Sequence, residues 1–216
     1  MVVYSTFSGI HGPSYVVATG GGVPHKVCDD CDVPWNWSSD GKRILYVWGE
    51  PGRRIGMLEV ASGEKTELLA HPEHGLFMPQ LSPDDRWITF TAEVSPGRRQ
   101  VFLAPVRGKT AIPQQDWIQI ADGSTWNGLP RWSPNGNLLY ITSERDGFRC
   151  IWVQRLEAAT KRPLGVATPV YHSHRANLSL MNAGTGGYRL SVTRDKLIFN
   201  MGEISGNIWM VEFPDR

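Results

Sequence analysis

Residues 130–140 read Pro-Arg-Trp-Ser-Pro-Asn-Gly-Asn-Leu-Leu-Tyr, a polar turn followed at once by a short apolar strand. The same pattern occurs three further times, over residues 34–46, 79–90 and 189–199. The four copies align on one serine each: Ser38, Ser82, Ser133 and Ser191. These serines lie 44, 51 and 58 residues apart. A repeat of this length built from short strands is typical of a radial or stacked all-β array.

Each central unit can be divided into four antiparallel strands, a to d. Asp-Gly and Ser-Gly dipeptides between the apolar runs predict tight hairpins, since glycine tolerates positive φ. Strands a to d of the second unit are predicted over residues 35–38, 43–48, 55–60 and 65–69. Those of the third and fourth units are predicted over 78–81, 87–92, 100–106, 117–120, 131–133, 138–143, 150–156 and 168–171.

The two terminal units are incomplete. The first is predicted to lack strand a, with strands over 2–6, 14–18 and 25–28, and the last to lack strand d, with strands over 189–191, 196–200 and 207–213. The gaps indicate either a fragment of a larger array of this kind or a protomer completed by another copy. Unpaired strand edges favour pairing between copies, so we expect a homo-oligomer that forms through these units. We predict a single domain over residues 1–216 with units at about 1–32, 33–74, 75–127, 128–176 and 177–216.

The composition gives little indication of a partner. Lysine and arginine total 22 against 21 aspartate and glutamate, so no electrostatic affinity for nucleic acid or for a membrane surface is expected. The cysteine count of three is low and odd, which is not typical of a disulfide scaffold. No signal peptide or membrane span is found, which predicts a cytoplasmic location for the chain as given, with a periplasmic location open for a longer parent.

The repeat resembles that of TolB-like, or WD40-like, β-propellers. Residues 132–140 (Trp-Ser-Pro-Asn-Gly-Asn-Leu-Leu-Tyr) and 81–90 carry it most clearly. The copy at 37–46 has Ser39 in place of proline, and that at 190–199 is degenerate and has lost the Asp-Gly turn. The resemblance implies an all-β fold, a β-propeller of four-stranded antiparallel blades with about four to five blades per chain. It also implies a binding or gating module rather than a catalytic one.

In a propeller of this kind, the connections from strand d of one blade to strand a of the next meet at one mouth of the central channel. Four of the six histidines and two of the three cysteines fall in these connections. They are Cys28, Cys31, His71, His74, His172 and His174. Thiolate and imidazole are ligands that zinc prefers, so one interpretation is a site for Zn²⁺ or another divalent metal. The alternatives are a thiol pair or disulfide at Cys28 and Cys31, and histidines that cap turns or line the channel.

Three functions are open at this stage. The first is a binding module that recognises a small molecule or peptide at the channel mouth through Trp126, Asn127 and Phe77. The second is a metal-dependent hydrolase of esters or phosphoesters, with Glu73 as general base and Arg175 stabilising developing charge. The third is a self-associating structural fragment. The chain has no Gly-x-Ser-x-Gly elbow and no phosphate-binding loop, which argues against serine hydrolysis and nucleotide chemistry.

Overall fold

The computed structural model describes residues 1–6, 12–49, 54–172, 174–175, 177–183, 189–207 and 209–211. Over these residues the fold is all-β, as the repeat predicts. Consecutive strands form separate antiparallel sheets in chain order. The first sheet has three strands: β1 (Val2–Ser5), β2 (Ser14–Val17) and β3 (His25–Cys28).

Three four-stranded sheets follow, each with its strands in sequence order. Strands a to d of the second unit are β4 (Val33–Trp37), β5 (Arg43–Trp48), β6 (Arg54–Glu59) and β7 (Lys65–Leu69). Those of the third are β8 (Gly75–Leu81), β9 (Trp87–Ser95), β10 (Arg98–Pro105) and β11 (Ile118–Asp122), with a short 3-10 turn at Gln114–Asp116. Those of the fourth are β12 (Asn127–Trp132), β13 (Leu138–Ser143), β14 (Cys150–Leu156) and β15 (Pro163–Tyr171).

The last unit differs from its prediction. Its first two strands, β17 (Leu190–Val192) and β18 (Leu197–Phe199), pair as predicted, but β16 (Leu178–Ser179) pairs with β19 (Gly202–Glu203), which the sequence did not indicate. The third strand predicted over 207–213 is wrong where it can be checked, since Asn207 and residues 209–211 lie in no strand. The chain after β18 turns back towards β16 instead of running along β18. Residues 208, 212 and 213 lie outside the described part.

The hydroxyl group of the repeated serine explains why the motif recurs. The hydroxyls of Ser38, Ser82 and Ser133 each accept the backbone N–H five residues later, at 2.9, 3.0 and 3.0 Å. Each also donates to the Asp or Asn two residues later, at 2.6, 2.5 and 2.7 Å. The motif therefore joins strand a to strand b through a buried side-chain clamp, as Ser and Asx residues do in tight turns.

The fourth copy uses a different residue for this clamp. Thr193, not Ser191, accepts the N–H of Lys196 at 3.0 Å and donates to Asp195 at 3.1 Å. The alignment on Ser191 was therefore displaced by two residues, because this turn is shorter and lacks the Asp-Gly pair.

The Ser39 that replaces proline in the second unit connects two blades. Its N–H and its hydroxyl both donate to Asp85 of the next unit, with the hydroxyl at 2.8 Å, and Arg43 lies 3.5 Å from the same carboxylate. Proline has no N–H to donate, so this contact requires the departure from the motif. Asp85 is therefore the acceptor of an inter-blade contact.

Among the described residues, the apolar core consists of four clusters, one between each pair of consecutive units. Leu45 and Phe90 belong to the cluster between the second and third units, and Leu103 and Ile141 to the cluster between the third and fourth. Two further clusters join the first unit to the second and the fourth to the last. Each blade therefore packs face to face on its neighbour, which is the arrangement of a β-propeller. Within the described residues, no helix is long or apolar enough to cross a membrane.

Candidate functional site

The antiparallel order of the strands places two kinds of connection at the same end of each sheet. The d–a connections, at residues 29–32, 70–74, 123–126 and 172–177, lie at the same end as the hairpins between strands b and c. We refer to this end as the d–a face. The a–b and c–d turns, which include the serine clamps, lie at the opposite end.

Cys28 and Cys31 form a disulfide, one of the alternatives that the sequence left open. Both are buried, and the hydroxyl of Ser14 on β2 donates to the carbonyl of Cys31 at 2.9 Å. Because the two sulfurs are bonded to each other, this form presents no thiolate to a metal. The interpretation of the pair as metal ligands therefore applies only to a reduced form.

His71 and His74 stack on each other with ring centroids 4.4 Å apart. The Nδ1 atom of His71 accepts the backbone N–H groups of Glu73 and His74, both at 3.0 Å. Burial and the neighbouring His74 lower the pKa of His71, which favours the neutral ring that this acceptor role requires. His71 thus caps its turn, while the exposed Glu73 contributes its backbone N–H to the same cap.

His172 and His174 lie at a second cluster, with two residues that sequence reasoning missed. Nδ1 of His172 and Nε2 of His174 each lie 3.0 Å from Oδ2 of Asp146, and 3.1 Å from each other. Potential ligand atoms of these residues and of the buried Cys150 all lie within 4.8 Å of one another. Asp146 lies in the b–c hairpin of the fourth unit, and Cys150 follows it as the first residue of β14. This hairpin lies at the same end of the sheet as the d–a connection, and that shared position was the signal from which the sequence could have indicated both residues.

The structure does not bring all six predicted metal ligands to one site. Among the described residues, groups of three or more potential ligands occur at Asp146, Cys150, His172 and His174, and at Cys28, Asp30 and Cys31. His71 and His74 belong to neither group. The proposed hydrolytic pair is also divided between connections, since Glu73 lies beside His74 and the exposed Arg175 follows His174.

The three predicted ligand-binding residues have specific packing roles. Asn127 is only 2% exposed, and its amide nitrogen donates to the carbonyls of Arg99 at 2.9 Å and Thr125 at 3.1 Å. The guanidinium of Arg149 lies 3.9 Å from the centroid of the Trp126 ring, and that of Arg99 lies 4.9 Å from the centroid of Phe77. Arginine over an aromatic face is a favourable cation–π arrangement. Phe77 lies within β8 and Asn127 begins β12, so both belong to strands a rather than to the connections.

A cleft of about 370 Å³ opens on the d–a face between the third and fourth units. Its walls include Asp122, Ser124, Thr125, Asn127, Ser143 and Arg145. The N–H and hydroxyl of Ser124 donate to Asp122 at 3.0 and 2.8 Å, and these bonds lower the pKa of the Asp122 carboxyl. Burial lowers the pKa of Arg145, an effect that Asp122 and Asp146 oppose. The cleft therefore presents an anion and a cation near neutral pH.

The consecutive sheets, each packed face to face on the next, define an incomplete β-propeller. Solved structures with the same fold include TolB from Acinetobacter baumannii (TM-score 0.61, 19% identity, 91% of this chain and 47% of that chain). A putative TolB from Agrobacterium tumefaciens matches with TM-score 0.57 and 23% identity over 74% of this chain and 56% of that one. A puromycin-hydrolyzing peptidase of Mycobacterium tuberculosis matches with TM-score 0.62 and 15% identity over 93% of this chain and 35% of that one.

These likenesses confirm the TolB-like propeller at the level of the fold. No family model matches the chain. An uncharacterized protein of Agrobacterium fabrum is 28% identical over 141 residues, which cover 62% of this chain and 44% of that protein. The chain thus spans about half the length, or less, of that relative and of TolB from Acinetobacter baumannii.

Proposed function

We propose that this chain is a β-propeller recognition module that binds a polar peptide in the cleft of the d–a face. The observation that carries the proposal is the cleft itself. Its volume of about 370 Å³ lies within the range of small-ligand sites, roughly 300–1,000 Å³. Its wall also includes Asn127, one of the residues for which recognition was predicted from the sequence.

The charges in the cleft suit an extended peptide. Asp122 is held by Ser124, and Nε of Arg145 donates to the Ser143 hydroxyl at 3.2 Å, so an acceptor and a donor are fixed at separate points of the wall. A peptide backbone offers both N–H and C=O groups along its length, and can satisfy both. Since the polar groups of the cleft are already oriented, binding requires little reorganisation of the protein.

The indole ring of Trp126 does not line the cleft but packs against the apolar cluster between the fourth and last units, and it supports the connection that leads into the cleft wall. Trp126 is held between the Arg149 guanidinium and the backbone at Gly128, where an added Cβ would come within 2.6 Å of the indole ring. Trp126 therefore holds its neighbours Thr125 and Asn127, which line the cleft, in a fixed position.

The test uses a random linear peptide library displayed on phage, followed by anisotropy measurements with a synthesised, labelled peptide from the selection. Ser124→Trp fills the cleft and should weaken binding by more than about tenfold, or ~1.4 kcal/mol. Ser62→Trp is the matched control, because Ser62 is an exposed turn serine on the opposite end of the sheets. Failure to enrich any peptide, or equal affinities for Ser124→Trp and wild type, would refute the proposal.

The disulfide supports the periplasmic alternative for the location of the protein. Disulfides persist in oxidising compartments and are rare in the reducing cytosol. Blocking thiols in intact cells before lysis and then reducing the protein should release two new thiols per chain if Cys28 and Cys31 are paired in the cell. Recovery of no new thiol would indicate a reducing compartment.

A further inference from the structure

Four side chains of different chemistry converge at the edge of the fourth blade. We propose that Asp146, Cys150, His172 and His174, named here the His-Asp-Cys cluster, form a binding site for Zn²⁺ or a similar transition-metal ion. The proposal goes beyond the recognition function, and it assigns two ligands, Asp146 and Cys150, that the sequence pattern did not single out.

The geometry of three donor atoms fits such an ion. Nδ1 of His172, Nε2 of His174 and Oδ2 of Asp146 form a triangle with sides of 3.0, 3.0 and 3.1 Å. Zinc lies about 2.0–2.2 Å from nitrogen and oxygen ligands. An ion at that distance from all three atoms fits about 1 Å out of their plane, which leaves its remaining side for a fourth ligand.

Cys150 is positioned to be that fourth ligand. It is the first residue of β14, it is completely buried, and its sulfur lies within 4.8 Å of a potential ligand atom of each of the other three residues. Two imidazoles with a thiolate favour zinc or a related transition metal over magnesium and calcium, which prefer oxygen ligands. Four protein ligands are typical of a closed structural site, whereas catalytic zinc keeps one position open.

A divalent ion would match the charge of the assembled site. A metal binds the thiolate form of cysteine, so binding would release the Cys150 proton. The carboxylate of Asp146 and that thiolate would together carry two negative charges, which a divalent cation neutralises.

The two imidazoles are held by neighbouring aromatic rings. The Phe148 ring stacks on His174 with centroids 4.5 Å apart, and Trp152 meets His172 edge-on at 5.3 Å. Orienting contacts of this kind tune the affinity of metal ligands. The bound metal would connect the b–c hairpin of the fourth unit to the d–a connection that leads into the last unit, and it should stabilise that junction.

The test is titration of the full, metal-stripped, oxidised protein with Co²⁺, followed by competition with Zn²⁺. With Cys28 and Cys31 in their disulfide, Cys150 is the only cysteine of the chain outside a disulfide. A thiolate-to-cobalt charge-transfer band therefore reports on Cys150 alone. We expect one equivalent of Co²⁺ with tetrahedral absorption, displaced by Zn²⁺, and a higher melting temperature when zinc is present.

Matched variants separate this site from the other histidine pair. His172→Ala/His174→Ala should lose more affinity than the roughly 10–100-fold caused by removing an outer hydrogen-bond partner. His71→Ala/His74→Ala should bind as wild type does. Cys150→Ser should lose the charge-transfer band. If the buried serine impairs folding, Asp146→Asn provides a second variant, because Asp146 is less buried.

Three results would overturn the proposal. They are no saturable binding by the folded wild type, equal binding by His172→Ala/His174→Ala, and a charge-transfer band that persists in Cys150→Ser. Peptide binding is measured separately, with Ser124→Trp, so failure of the metal site would leave the recognition proposal untouched.

Discussion

The serine clamp of the third unit gives the most quantitative prediction. Ser82→Ala removes a hydroxyl from a residue that is 2% exposed. That hydroxyl accepts the N–H of Trp87 at 3.0 Å and donates to Asp84 at 2.5 Å. The substitution leaves the Trp87 N–H without this acceptor at the start of β9. Loss of a partner for a buried donor costs about 1–3 kcal/mol, and a hydrogen bond to a charged group is worth about 1.5–3 kcal/mol.

We therefore expect Ser82→Ala to lower the free energy of unfolding by about 2–4 kcal/mol. The estimate lies towards the lower end because water reaches the Asp84 carboxylate and replaces part of its lost bond. The assay is urea denaturation, in which the midpoint should fall while the m-value stays unchanged. Ser191→Ala is the matched control and should change stability by less than about 0.5 kcal/mol, since Ser191 is exposed and makes no clamp.

The reasoning would be refuted if Ser82→Ala were as stable as wild type, or if Ser191→Ala were equally costly. The pH dependence provides a second check on the same clamp. Burial acts to raise the pKa of Asp84, but hydrogen bonds from Ser82 and the Arg86 N–H outweigh it and lower the pKa below its ordinary value. This stability is present above about pH 4, the unfolded value, and is lost as the pH falls through the folded value. Ser82→Ala should show a shallower acid loss.

Four further predictions follow from other parts of the fold. Gly56→Ala places a Cβ 2.6 Å from Cζ of the Tyr46 ring and should cost about 1–3 kcal/mol by urea denaturation. Burial, with nearby carboxylates, raises the pKa of Tyr46 to about 12. The stability that this shift contributes should be fully present below about pH 10 and be lost as the pH rises towards that value. The absorbance of tyrosinate will follow the titration. Opening the disulfide with Cys28→Ala/Cys31→Ala should cost no more than about 2 kcal/mol, because the closed loop is short; a larger thermal destabilisation would contradict this. Native mass across concentrations should show a homo-oligomer, whereas a constant monomer would remove that prediction.

The repeat predicted most of the fold because its chemistry is local. The serine clamp forms within one turn, so the sequence alone locates strands a and b in each full blade. Strands a proved longer than predicted, since β8 and β12 continue through irregular pairing beside Pro79 and Pro130. The last unit was predicted least well, because the pairing of β16 with β19 joins residues distant in sequence and carries no local signal.

The candidate site was predicted only in part for the same reason. His172 and His174 were recognised because they are two residues apart in one connection. Asp146 and Cys150 belong to a different hairpin, and their proximity depends on the register in which Ser143 of β13 pairs with Cys150. The state of Cys28 and Cys31 was left open because a Cys-x-x-Cys spacing fits a thiol pair, a disulfide and a pair of metal ligands alike.

The central claim is that recognition takes place on the d–a face. Hydrogen exchange of the chain with and without a library-selected peptide tests it most directly. We predict slower exchange at residues 122–127 and 143–149, with the serine turns at 39–42 and 83–86 unchanged. Protection confined to those serine turns, with none in the cleft, would contradict the claim.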